Sequence, residues 1–311
     1  MRRRTAVRFA TMAAVAASTL GTTGGAAPSP AGAQAETIYD TVAGNFWGGP
    51  REEAFSYASG PEADYLISFY NDGYAGGPLS FQSYDYVVNG RYTPVAGDFD
   101  GDGLDEILWY APGPAADYLW NFTGYGTYTT RPYTVNGVYE PVVGDYTGDN
   151  TDDILWYAPG PTPDYLWDYH PNASYGSRRF DSNGYYEPFT LDTWNDGWRG
   201  EDIYWWAPGS AADYIWDFYA PAGPVPYSIR LDVPPGYVEA VPGDFFGDGY
   251  DSVLWIGASV DIWDFSAGGT IWEYNLSSPM AAAAEAQGAP ASPFAAGSGS
   301  AEAVDRGSIG R

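Results

Sequence analysis

The chain has 311 residues, with 40 acidic side chains against 13 basic ones, a formal net charge of −27 and no cysteine. Such an acidic surface repels nucleic acid and anionic membranes and attracts cations. Without thiols there is no cysteine nucleophile or thiolate metal site, and without lysine there is no Schiff-base chemistry.

Residues 1–35 read as a secretory signal peptide. Arg2, Arg3, Arg4 and Arg8 form a positive head, Phe9 to Leu20 an apolar run, and Ala33-Gln34-Ala35 a small-residue site with cleavage after Ala35. The run is too short to span a bilayer. The paired arginines leave both the general and the twin-arginine export routes open, and the expected location is extracellular. Removing the leader takes away four arginines and no acid, so the net charge falls from −27 to −31.

One unit then recurs five times. The copies are "AGNFWGGPREEAFSYASGPEADYLISFY" (43–70), "AGDFDGDGLDEILWYAPGPAADYLWNF" (96–122), "VGDYTGDNTDDILWYAPGPTPDYLWDY" (143–169), "LDTWNDGWRGEDIYWWAPGSAADYIWDF" (191–218) and "PGDFFGDGYDSVLWIGASVDIWDF" (242–265). Their anchors Asn45, Asp98, Asp145, Asp192 and Asp244 stand 53, 47, 47 and 52 residues apart. Each copy parses into four short strands, here of the types "PVAGDF", "EILWYAP", "DYLWNF" and "TYTTRPYTV", separated by turns such as Pro112-Gly113-Pro114 and Asn136-Gly137. No segment has a helical period.

Four strands about every 50 residues make a propeller blade, and one blade alone cannot bury both of its faces. The predicted fold is therefore an all-β propeller of five four-stranded blades over residues 36–278. The blades fall at about 36–90, 91–137, 138–184, 185–236 and 237–278. Residues 279–311 are rich in Ala, Gly, Ser and Pro and read as a disordered tail.

"GDFDGDGLDEILWY" (97–110) carries five acids between Asp98 and Glu106. Asp98, Asp100 and Asp102 take positions 1, 3 and 5 of a loop, Gly103 the sharp turn at 6, the Leu104 carbonyl position 7, and Glu106 position 9. Alternate side chains converge on one centre, which suits the six to eight oxygen ligands of calcium better than the hydrated shell of magnesium. The spacing follows the first half of an EF-hand loop, but the closing acid comes early and no helices flank it.

On these residues the chain resembles the FG-GAP, or VCBS-type, repeat family, in a form found in exported actinobacterial proteins. The resemblance implies calcium-binding loops within a β-propeller, as in integrin α chains and certain fungal lectins. Carried over, Asp98, Asp100, Asp102 and Glu106 become ligands. The third blade keeps Asp145, Asp149 and Asp153, with Thr147 at position 3 and Asn150 at position 6, and is expected to form a weaker second site. The fifth blade loses two ligands to Phe246 and Ser252. The fourth has a two-residue insertion, and the first, "NFWGGPREE", has lost its acids.

Trp109, Trp156, Trp205 and Trp255 form one aromatic column, and Trp120, Trp167, Trp216 and Trp263 another. Either can serve as packing between blades or as a ligand platform. A further column, Tyr57, Tyr110, Tyr157 and Trp206, precedes the turns, and Asp64, Asp117, Asp164 and Asp213 open the third strands. Rings beside carboxylates suit a sugar, so Tyr110, Asp117, Tyr157, Asp164, Trp206 and Asp213 are candidate ligand contacts. The alternative is that the aspartates cap the preceding turns. His170, the only histidine, reads as a surface residue.

The expected function is an exported, calcium-stabilised, non-enzymatic binding module for glycan or an extracellular protein. The alternatives are a glycosidase-like enzyme using paired propeller carboxylates and a spacer protein. Fold alone does not choose among them.

Overall fold

The computed structural model describes residues 9–13, 38–71, 79–193, 200–218, 226–265, 270–276 and 303–308. The described residues form no helix, and their strands lie in five antiparallel sheets. The first holds β1 (Phe9–Ala13), β2 (Ile38–Gly44), β3 (Glu53–Ala58), β4 (Asp64–Asn71) and β5 (Leu79–Tyr86). The second holds β6 (Thr93–Gly97), β7 (Glu106–Tyr110), β8 (Asp117–Gly124) and β9 (Thr127–Tyr133). The third holds β10 (Glu140–Gly144), β11 (Asp153–Tyr157), β12 (Asp164–His170) and β13 (Ser174–Phe180). The fourth holds β14 (Glu187–Leu191), β15 (Asp202–Trp206), β16 (Tyr214–Asp217) and β17 (Tyr227–Arg230). The fifth holds β18 (Tyr237–Gly243), β19 (Ser252–Gly257), β20 (Val260–Asp264), β21 (Thr270–Asn275) and β22 (Ala303–Ser308).

Without β1 and β22, each sheet is a four-stranded meander in chain order, one blade of a five-bladed β-propeller. Of the expected leader, only residues 9–13 are described, as β1 paired with β2. Of the expected tail, only residues 303–308 are described, as β22 paired with β21. The rest of both segments lies outside the described residues.

The chain divides into two compact units. Among the described residues, one holds the first two blades without residues 98–102, and the other holds the last three blades with that segment. Within the first unit β2 lies beside β6; within the second β10 lies beside β14 and β14 beside β18.

Burial follows strand order. The second strands β7, β11 and β15 are buried at all five positions. Both of their faces need apolar side chains, so "EILWY" and "DILWY" carry none of the polar alternation of a half-exposed strand. The fourth strands are the reverse: β9 is exposed at every position but Tyr133, and β13 at every position but Phe180.

Both tryptophan columns are packing. In the first unit the Trp109 ring lies 5.3 Å from Phe55 and 5.2 Å from Tyr57 of the preceding blade. In the second unit Trp205 repeats this against Tyr157 at 5.3 Å, and Trp255 against Trp206 at 5.4 Å. The other column is roofed from the fourth strands, with Tyr128 stacked on Trp120 at 3.8 Å and Tyr175 on Trp167 at 4.0 Å. Ring pairs of this kind add about 0.5–1.5 kcal/mol each beyond the area they bury.

Candidate functional site

The loop between β6 and β7 draws three carboxylates together. Oxygens of Asp98, Asp100 and Glu106 lie within 4.8 Å of one another, with Asp98 and Glu106 buried and Asp100 half-buried. Gly101 and Gly103 turn the backbone at φ 73° and 93°, a region that residues with a Cβ seldom occupy. The Asp98 side chain accepts a hydrogen bond from the Gly101 N–H at 2.9 Å. The donors are all hard oxygens, so the three residues can share one divalent cation.

One acid of the expected ligand set lies outside this group. Asp102 is exposed and outside this group; its N–H donates to Asp100 at 3.1 Å. The Leu104 side chain lies toward Gly48, where an added Cβ would be 3.1 Å from the leucine Cδ2, while the expected ligand is its main-chain carbonyl.

The residues of the expected second site are held less closely together. Asp145, Asp149 and Asp153 form no such group among the described residues. The loop's own backbone has taken the oxygens: Asp145 accepts from the N–H groups of Gly148 at 2.7 Å, Asp149 at 3.1 Å and Asn150 at 2.9 Å. Asp153 is buried and accepts from Thr147 at 3.1 Å and Tyr169 at 2.8 Å. Burial pushes the Asp145 carboxyl up to about 6 and that of Asp153 well above the usual range. Asp244 folds the fifth loop in the same way, on Gly247 at 2.6 Å, Asp248 at 3.2 Å and Gly249 at 3.0 Å.

Another acid in the loops of the last four blades, just before the second strand, does what its sequence does not announce. The Asn45 N–H donates to the Asp105 carboxylate at 2.6 Å, and the Asp105 N–H donates back to the Asn45 carbonyl at 3.0 Å. The same two-way clasp joins Asp98 to Asp152, Asp145 to Glu201 and Asp192 to Asp251, with carboxylate bonds of 2.8, 2.9 and 2.9 Å. The return bonds from Asp152, Glu201 and Asp251 are each 2.8 Å. Each clasp fastens the first residue of one loop to the acid of the next blade. Gly144 makes room for one of them: a Cβ there would lie 2.7 Å from the Glu201 carboxylate and 2.6 Å from the Thr190 methyl.

The six candidate ligand contacts are closed inside the blades. Asp117, with no exposed surface, accepts from Ala111 at 2.7 Å and Val135 at 2.6 Å. Asp164 holds Ala158 and Ser182, both at 2.8 Å. Asp213 holds Ala207 at 2.6 Å and Val233 at 2.7 Å. Each aspartate buckles a turn to the strand exit beside it, as the capping alternative requires. Tyr110 and Tyr157 are equally buried, and their hydroxyls donate to the carbonyls of Gly137 and Gly184 at 2.9 Å. Trp206 is buried against Trp255, and Tyr204 takes over the hydroxyl role by donating to Leu231 at 2.6 Å.

The rings that do reach solvent at this end come from the next residue along. In "DY" the aspartate points inward and the tyrosine to the opposite face of the strand. Tyr65 pairs with Tyr39 at the start of the same blade, ring centroids 6.1 Å apart and tilted by 47°. Tyr165 pairs with Tyr139 at 6.2 Å and 89°. Tyr118 lies near Tyr92 and Tyr214 near Tyr186; burial first, and then these neighbours, push the hydroxyl pKa values of Tyr92 and Tyr186 up. Seven of these eight rings are half-buried, and Tyr118 is 37 % exposed. The fifth blade breaks the pattern: Asp261 replaces the second tyrosine and accepts from the Tyr237 hydroxyl at 2.6 Å.

Five such blades, with one acidic loop able to hold a cation, define a β-propeller of the kind that serves as a binding module. The FG-GAP repeat model matches residues 90–128, which span the β6–β7 loop and most of the second blade. Residues 90–128 are thus similar to an FG-GAP repeat, within a chain whose sheets form a five-bladed propeller. No curated protein sequence matches the chain.

Proposed function

We propose that the chain is an exported, calcium-stabilised binding module that recognises an extracellular glycan or protein surface without catalysis. The observation that carries this reading is how the repeated acids are used. Buckles, clasps and loop turns employ the carboxylates as acceptors for backbone N–H groups, one after another along the chain. Acids spent on the scaffold in every blade support a recognition role rather than an acid–base pair.

Asp98, Asp100 and Glu106 would hold the calcium ion. Three carboxylates so close together repel one another, and a hard cation removes that repulsion. Weak binding suffices outside the cell, where such modules work with dissociation constants of about 10⁻⁴–10⁻³ M. The ion's part is to brace the loop.

The test compares thermal melting of the parent and Asp100→Ala in millimolar calcium and in chelator, alongside reducing-sugar release from mixed polysaccharides. The parent is expected to melt higher in calcium, the variant to lose that gain, and no sugar to be released. An equal loss in both buffers would remove Asp100 from the ligand set, and steady sugar release would replace the binding module with an enzyme.

A further inference from the structure

We propose that the tyrosine pairs of the first four blades are carbohydrate subsites, and that their ligand is an uncharged polysaccharide. This rests on the binding-module reading and gives it a site and a ligand class.

A half-buried tyrosine offers an apolar face with a hydroxyl at its edge, which matches the two kinds of surface on a sugar. Tyr39 meets Tyr65, and Tyr139 meets Tyr165, at an angle. Neither pair is a closed stack of the kind Tyr128 makes on Trp120, where the planes lie within 19°. A net charge of −27 opposes uronic or sulfated chains and leaves neutral ones.

The rings are also held in place before any ligand arrives. The buried Tyr57 hydroxyl accepts from the Tyr92 N–H at 3.1 Å, and the Tyr157 hydroxyl from the Tyr186 N–H at 2.8 Å. The Tyr186 ring lies across Gly184 so closely that a Cβ there would fall 1.9 Å from it. Fixed rings lose little entropy on binding. Each compact unit carries two pairs, so a ligand of repeating units long enough to reach both would gain affinity by linkage. The fifth blade, where Tyr237 is bonded to Asp261, carries no subsite.

The test uses the full chain with cellulose, chitin and mannan as neutral probes, alginate as an anionic one and poly-L-proline as a peptide that also favours aromatic surfaces. The quadruple variant Tyr65→Ala, Tyr118→Ala, Tyr165→Ala, Tyr214→Ala is compared with the parent, with Tyr118→Ala alone, and with Tyr227→Ala on β17 as a control. The parent should bind at least one neutral polysaccharide. The quadruple variant should bind it about a hundredfold more weakly, the scale set by losing linked sites, while Tyr227→Ala binds as the parent does. If the quadruple variant fails to fold, the single variant decides, by a measurable loss of affinity at the parent's melting temperature. Undiminished binding by a folded variant would overturn the site. Binding of poly-L-proline or alginate alone would overturn the ligand class and leave the binding module standing. Silence toward every probe would overturn the proposal, and calcium-dependent melting on the same sample would then judge the functional reading separately.

Discussion

Replacing Asp117 by alanine tests whether the aspartates that open the third strands are buckles. Both Asp117 oxygens are engaged, at 2.7 Å from the Ala111 N–H and 2.6 Å from the Val135 N–H, at a site with no solvent exposure. Asp117→Ala leaves two buried N–H groups without acceptors, at about 1–3 kcal/mol each. The carboxylate's own burial cost, which raises the Asp117 pKa, is recovered and offsets part of that loss. The net expectation is a destabilisation of about 2–5 kcal/mol. Asp117→Asn keeps one acceptor and sets an amide donor against the other N–H, so it should fall between alanine and the parent. Urea unfolding followed by tryptophan fluorescence reads the midpoint, with Asp181→Ala at the exposed Arg179–Asp181 pair as a surface control. A shift of Asp117→Ala no larger than that of the control would refute the buckle and restore Asp117 as a ligand contact.

Other outcomes follow from the same geometry. Burial raises the carboxyl pKa values of Glu201 and Asp202 and brings Asp145 to about 6, so the folded state holds these protons more tightly than the unfolded chain does. In chelator, stability should therefore rise as pH falls from 7 toward 5, with Asp145 alone contributing up to about 3 kcal/mol once pH is below its unfolded value; a melting temperature that falls over that window would contradict this. Gly144→Ala should lower the melting temperature, because its Cβ would displace both the Thr190 methyl and the Glu201 carboxylate. Tyr57→Phe removes one donor to Gly90 and one acceptor for Tyr92, and should cost about 1–2 kcal/mol in urea unfolding while leaving the ring packing on Trp109 intact.

The repeat, the four strands of each blade and the β6–β7 loop were legible because they rest on local pattern. The apolar run "EILWY" can only be a strand buried on both faces, and Gly101 and Gly103 mark a loop that must turn twice. The clasps were hidden because their partners lie 54 to 60 residues apart, a distance over which a loop acid shows nothing of its partner. In the third blade's loop the carboxylates hold their own backbone, as Asp145 does with Asn150 and Asp153 with Thr147, which the spacing of the acids alone does not show. In "DY" the aspartate was open to two readings, ligand contact or turn cap, and the structure places it inside as a cap, while the tyrosine after it faces outward. Strand alternation carried that distinction, once the aspartate was placed inside.

The clasps change where one repeat ends and the next begins. Cut at the boundaries of its sequence repeat, a blade takes along an acid whose partner stays behind and a loop whose acid is missing. The transferable module is offset from the sequence repeat, running from one blade's first loop to the acid just before the second strand of the next. A designer lengthening the array by inserting copies of 96–144 would have to place Asp105 after an "AGN" or "AGD" turn, and Asp98 ahead of Asp152 or its equal. Any rearrangement that separates those partners strands an N–H and a carboxylate at the same joint, so at the four clasped junctions blade order is enforced by hydrogen bonding as well as by shape.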